Sequence, residues 1–265
     1  MVTAIDWQRV RTLAEQAEAS GGTVGVAALA PDGAVFGYRA DDVFVAASTI
    51  KVVIMQTIFR QIDADERSLE DRHPLTAADK ATGGGILKHF RDGLPLTLHD
   101  LLVLMISISD NSATNMLIDL AGLERVNETA RALGLARTHL GRKMFGRLAR
   151  DGEVENTTTP LEMARAIEAI LEGRAASAAS CEAMLELLIT QTNARRIARY
   201  LPQDAGIRWG SKTGSLSGVV NDAGFITTDA GTLIISVYTR GLPDPLAAED
   251  VIGTISRAAL TTVGL

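Results

Sequence analysis

Strand-like patterning is confined to the two ends of this 265-residue chain, and the long middle is helical. Strand-like segments at 23–30 and 34–39 flank a Pro31-Asp32-Gly33 turn, which predicts a hairpin. The period-two pattern returns after Gly206, at 207–212, 219–227 and 232–238. Helical spacing fits 48–63, 101–108, 112–121, 124–133, 160–172 and 178–190, with amphipathic helices at 6–19 and 247–262. A chain ordered in this way is expected to be α+β. Its distant strands would meet in one antiparallel sheet flanked by the terminal helices, and the helical middle would form an inserted second lobe. We expect one domain over 1–265, with an α/β lobe from 1–45 and 195–265 and an all-helical lobe from 46–194. Clefts between such lobes are common ligand sites.

Bulk properties narrow the function classes. With 46% hydrophobic and 22% charged residues, the chain can bury a sizeable core. A net charge of -6 and the lack of a basic run with interleaved aromatics argue against a nucleic-acid partner. No run approaches membrane-spanning length, so no membrane partner is expected. Cys181 is the only cysteine, which excludes an intramolecular disulfide and a cysteine zinc site, and it is expected to be a small buried filler. His73, His89, His99 and His139 show no metal-ligand spacing, and no Gly-x-Ser-x-Gly elbow is present. Neither metal nor cofactor is expected. The first residues lack a basic n-region and an apolar h-region, so a cytoplasmic location is expected for the chain as written. A trimmed leader would instead imply a periplasmic or secreted protein.

Three short stretches carry chemistry. Ser48 and Lys51 stand three apart at the start of an apolar helix, and so lie on one face about a turn apart. A serine hydroxyl needs a base to become nucleophilic, and a desolvated lysine can serve. At a helix start, free N–H groups also face a developing oxyanion. Ser109-Asp110-Asn111 follows the 101–108 helix, which opens on a Thr97-Leu98-His99-Asp100 capping box. Lys212-Thr213-Gly214 ends the first strand of the second block. Thr82-Gly83-Gly84-Gly85 lacks the context of a phosphate loop and reads as a flexible loop. The stretch 136–158 reads as a long irregular loop of the kind that carries function, ended by a Thr159-Pro160-Leu161-Glu162 capping box.

Ser-x-x-Lys, Ser-Asp-Asn and Lys-Thr-Gly in this order resemble the signature of class A β-lactamases and penicillin-binding proteins. The segments Lys88 to Gly93, Asp110 to Asn115 and Asn156 to Pro160 are also similar to that family, so the likeness covers nearly the whole chain. The resemblance implies a two-lobed serine hydrolase in which Ser48 forms an acyl-enzyme and Lys51 accepts or relays its proton. Ser109 would pass a proton to the leaving nitrogen, bridged to Lys212. Asn111 would hold Lys51 and a substrate amide oxygen, and Thr213 would bind a substrate carboxylate beside the Lys212 charge. The backbone N–H groups of Ser48 and Ser215 would form the oxyanion hole. Asp110 is expected to be structural.

The pattern departs from the family in two places. The Ω-loop glutamate that activates water for deacylation is absent, and Lys143 or Met144 stands at its position. Glu153 and Glu155 lie near the loop exit and read as solvated charges or partners of Arg142, with Glu153 as a relocated base the alternative. The strand from Gly218 to Ala223 carries no arginine for a lactam carboxylate, and has Asn221 and Asp222 instead. Asp222 is expected to pair with a base such as Arg208. The expected substrate is therefore a small amide, lactam or ester met by a monomer. β-Lactamase activity would be weak without the deacylating glutamate. A cytosolic esterase, amidase or D-amino-acid peptidase is the alternative, and a non-turnover penicillin sensor or trap a third reading.

Overall fold

The computed structural model describes residues 5–202 and 206–265. The terminal strand blocks meet in one five-stranded antiparallel sheet. The strands are β1 (Thr23–Leu29), β2 (Val35–Tyr38), β3 (Arg208–Leu216), β4 (Val219–Thr228) and β5 (Gly231–Arg240), in the order β2-β1-β5-β4-β3. β1 pairs β5 from Thr23↔Arg240 to Leu29↔Ile234, and this register joins the two ends of the chain.

Both faces of the sheet are covered, which explains its nearly continuous apolar strands. Along β1, Val24, Val26 and Ala28 face a core shared with α1 (Gln8–Ala19) and α8 (Pro245–Thr262), which supply Val10, Ala14, Ile252, Ile255 and Ala259. Ala27 and Leu29 face the larger core, as side chains alternating along a strand must. That second core is built around α2 (Lys51–Asp63), whose residues from Lys51 to Phe59 are all buried. A helix buried on every side is surrounded by others. Here they are α3 (Leu98–Ser107), α4 (Asn111–Ala121), α5 (Leu123–Ala132), α6 (Pro160–Leu171) and α7 (Ala178–Ile189). Cys181 sits buried in α7. Among the described residues no helix is long and apolar enough to cross a membrane.

Local chemistry sets the helix starts. The Thr97 hydroxyl accepts from Asp100 N while the Asp100 carboxylate accepts from Thr97 N, so α3 begins at Leu98, earlier than the apolar run alone suggests. The Thr159 hydroxyl caps α6, with Pro160 at its first position. The segment 136–158 is tied at its neck. Thr157–Thr158 pairs with Phe44–Val45, and His139 bridges Thr157.

Two expectations are corrected. The helix predicted over 48–63 is divided: Ala47–Ile50 form a 3-10 turn and the α-helix begins at Lys51. Lys212-Thr213-Gly214 does not end a strand, because β3 runs on to Leu216 and pairs through Ser215↔Val220 and Leu216↔Val219. Gly214 reads as a terminator only locally. A side chain there would meet Ala46 O at 3.0 Å and Ser48 N at 3.2 Å, so the glycine lets the strand lie against the turn that carries Ser48.

Candidate active site

Ser48 is half-buried on the 3-10 turn, three residues before α2 begins at Lys51. The turn is held from below. Thr49 Oγ1 bonds Ala46 O at 2.7 Å and the buried Tyr238 hydroxyl at 2.6 Å, and Ala46 N donates to Asn156 O at 2.8 Å. Ala47 has φ +48° and Ser109 has φ +59°. Non-glycine residues in that region persist only where their surroundings enforce it, and such residues gather at functional sites.

Lys51 is fully buried. Its Nζ lies 2.8 Å from Ser109 O, 3.0 Å from Ser109 Oγ and 3.0 Å from Asn111 Oδ1. Burial, then the nearby Lys212 charge, push its pKa well below the ordinary lysine value, against the opposing pull of Asp110. Two of its partners are carbonyl oxygens, which only accept, and the third is a hydroxyl, which can also donate. A neutral amine with two N–H bonds and one lone pair satisfies all three. No hydrogen bond joins Ser48 Oγ to Lys51 or Ser109, and Lys212 Nζ donates to Thr213 O at 3.0 Å, not to Ser109. The expected bridges between these groups are therefore absent in this state, although Ser48, Ser109, Asn111, Thr213 and Ser215 line one cavity of about 260 Å³.

Lys212 is also fully buried, and burial lowers its pKa to about 7, with Asp222 opposing the shift and Arg196 adding to it. Asp110 caps α4 through Ala113 N at 3.0 Å and holds the incoming loop through Ile86 N at 2.6 Å and Leu87 N at 2.9 Å. Its carboxylate is thus turned away from the cavity.

The β3 wall contains an arginine that sequence reading missed. Arg196, from the segment after α7, is buried beneath the strand. Its Nη1 donates to Gly214 O at 2.9 Å and Asn221 O at 2.7 Å, and its Nη2 to Ser215 Oγ at 2.5 Å. Glu249 pairs with it at 3.3 Å. Asp222 is fully buried, its pKa raised first by burial and held back by Arg196. Its Oδ2 accepts from Ile197 N at 3.1 Å. The expected Asp222–Arg208 pair does not form. Arg208 reaches outward to Glu186 at 2.6 Å, because position 208 lies at the exposed start of β3. Asn221 Nδ2 donates to Val45 O at 2.9 Å and so ties β4 to the chain entering the Ser48 turn.

The Ω-loop wall is organised by asparagines. Asn115 Oδ1 accepts from Met144 N at 2.7 Å, and its Nδ2 donates to Met144 O at 3.0 Å. Asn156 Oδ1 accepts from Gly141 N at 2.8 Å and Arg142 N at 3.0 Å. Lys143 lines the cavity with its amine paired to Asp119 at 2.6 Å, and Met144 is buried on the same lining. Glu153 pairs with Arg147 at 2.6 Å and accepts from Arg150 N, and these bonds pull its pKa down to about 2. It is a poor base. Glu155 lines the cavity but is filled with donors: Arg142 at 3.0 Å, Ala149 N at 2.7 Å and Asn156 N at 2.9 Å. Asn115 was signalled by the family-like segment Asp110 to Asn115 and by its place four residues after Asn111, on the same face of α4. Arg196 had none, because its partners come from other strands.

The model of the Beta-lactamase enzyme family matches residues 7–263. The crystal structure of a β-lactamase from Sphaerobacter thermophilus DSM 20745 is 56% identical and superposes with a TM-score of 0.96, covering 98% of each chain. Beta-lactamase OXY-2 of Klebsiella oxytoca is 30% identical over 258 residues, covering 93% of this chain and 86% of that protein. A PBP-A mutant, solved as an acyl-enzyme complex with penicillin G, is 26% identical with a TM-score of 0.86, covering 96% of this chain and 95% of that one. The chain belongs to the Beta-lactamase enzyme family and is a class A β-lactamase-like serine hydrolase.

Proposed function

We propose that Ser48 is acylated by the carbonyl of a β-lactam-like or peptide-like amide bearing a carboxylate, and that the acyl-enzyme is emptied slowly. The observation that carries this reading is the buried Lys51 amine, depressed in pKa and shared between Ser109 and Asn111 beside Ser48. As neutral amine, Lys51 takes the Ser48 proton while Oγ bonds to the carbonyl carbon. The C–N bond breaks as Ser109, in proton contact with Lys51, delivers a proton to the leaving nitrogen. The backbone N–H groups of Ser48 and Ser215 stabilise the oxyanion. Thr213, Ser215 and the Lys212 charge receive the carboxylate, with Arg196 behind Ser215 supplying the positive field that β4 lacks. Penicillin G as the acyl group of the related PBP-A mutant supports the β-lactam class.

Slow emptying follows from the cavity lining. Glu155 is the one carboxylate on it among the described residues, and its oxygens already accept several hydrogen bonds. No carboxylate is left to polarise a water, so Lys51 or Ser109 must serve as base. A chromogenic cephalosporin followed by colour and intact mass tests the reading. A stoichiometric burst with an adduct on Ser48 that decays slowly is expected. Fast sustained turnover would refute the slow step. Aryl-ester hydrolysis with no cephalosporin adduct would move the substrate class to esters.

A further inference from the structure

We infer that the end of the cleft receiving the acyl group is closed by a glycine-to-glycine contact between two loops, and that this contact selects substrates with a small acyl side chain. The inference rests on the proposed acylation of Ser48. With the carboxylate at Thr213 and Ser215 and the carbonyl at Ser48, the acyl portion extends away from β3 towards Asn111. There the backbone of Gly83 meets the backbone of Gly146. A Cβ on Gly83 would lie 2.8 Å from Gly146 Cα and 2.6 Å from Asn111 Nδ2, and one on Gly146 would lie 2.7 Å from Gly83 Cα. These positions leave no room for a side chain, and only glycines allow the loops to touch.

The contact is fastened on both sides. Thr82 Oγ1 donates to Phe145 O at 2.7 Å, and Asn111 Nδ2 donates to Thr82 O at 2.9 Å. The guanidinium groups of Arg142 and Arg147 lie over the Phe145 ring at 5.7 and 5.2 Å. Gly83, Gly84, Phe145 and Gly146 all line the cavity, so this junction forms its wall. A bulky acyl group must part the loops, while a small one fits beneath them.

The test compares acylation rates at Ser48, by intact mass, for two penicillins that share a nucleus: an acetyl-substituted one and phenylacetyl-substituted penicillin G. 4-Nitrophenyl acetate and phenylacetate form a second pair. The wild type should favour the smaller member of a pair. Gly146→Ala, which wedges the junction, and Thr82→Val, which removes its hydroxyl bond without adding bulk, should each narrow the ratio by about tenfold. Equal rates in the wild type, or an unchanged ratio in folded variants, would overturn the inference and leave the acylation reading standing. If only the esters acylate Ser48, the ester pair decides the inference and the amide class fails. If no compound gives an adduct, both fall.

Discussion

Asn115 and Met144 hold each other by a reciprocal pair of hydrogen bonds, the Asn115 amide to the Met144 N–H and carbonyl, at 2.7 and 3.0 Å. The backbone at position 144 is therefore fixed while its side chain lines the Ser48 cavity. Met144→Glu would present a carboxylate from this anchored position, where a water could be activated. A correctly placed base contributes about 10²–10⁴-fold, so deacylation should quicken by about 10²-fold or more. The lifetime of the penicillin adduct by intact mass checks this. Burying the new carboxyl should cost about 1–3 kcal/mol, read by denaturant unfolding.

Lys212 should impose an alkaline limb on acylation. Its pKa of about 7 lies below the ordinary 10.5, so its charge is present at low pH and lost as pH rises through about 7. Lys51 must be neutral to act, so it sets the acid limb. Second-order acylation by an anionic penicillin should therefore be bell-shaped with pH. Lys212→Arg, which keeps its charge, should move the alkaline limb upward. A limb that stays in place in that variant refutes the assignment.

The same depression predicts a sign for stability. Between about 7 and 10.5 the unfolded chain holds a proton that folded Lys212 has lost, so stability rises with pH across that window. Below about 7 both states are protonated and the charge stays buried at full penalty. The urea midpoint difference between wild type and Lys212→Met should shift in favour of the wild type from pH 7 to pH 9.

Arg196→Ala should weaken anionic substrates more than neutral ones. Loss of a bidentate-capable cation near the carboxylate should lower the acylation rate for a penicillin by about 10–100-fold and change a neutral aryl ester far less. It should also destabilise the fold by about 1–3 kcal/mol, because Gly214 O, Asn221 O and Ser215 Oγ lose their buried donor and Glu249 keeps only Arg195. Equal losses on both substrates would mean a purely structural role.

Asp110→Ala should act through stability. Three backbone N–H groups, of Ile86, Leu87 and Ala113, lose their acceptor. At about 1–2 kcal/mol for a lost cap and more for unsatisfied buried donors, the expected loss is about 3 kcal/mol. A thermal melt measures it.

Much of the fold was legible from 23–39 and 207–238, because a strand buried on both faces is a local apolar run bounded by turns. Asp110 and the Thr97 and Thr159 caps were legible for the same reason: a cap and its helix are three residues apart. The β3 end was misread because Gly214 looks like a terminator until Ser48 is placed against it. The Asp222 partner was misread because charge type does not reveal which arginine a fold will bury.

By itself, the sequence determined the α+β order, the Ser48–Lys51 spacing and the Ser109 and Lys212 motifs. Only the tertiary structure decided that Lys143 is paired with Asp119, that Glu153 is bound to Arg147, and that Arg196 lies behind Ser215. The physical reason is range. Periodicity and capping act over three or four residues, whereas the site is closed by bonds such as Asn221 to Val45, 176 residues apart, whose partners are chosen by packing.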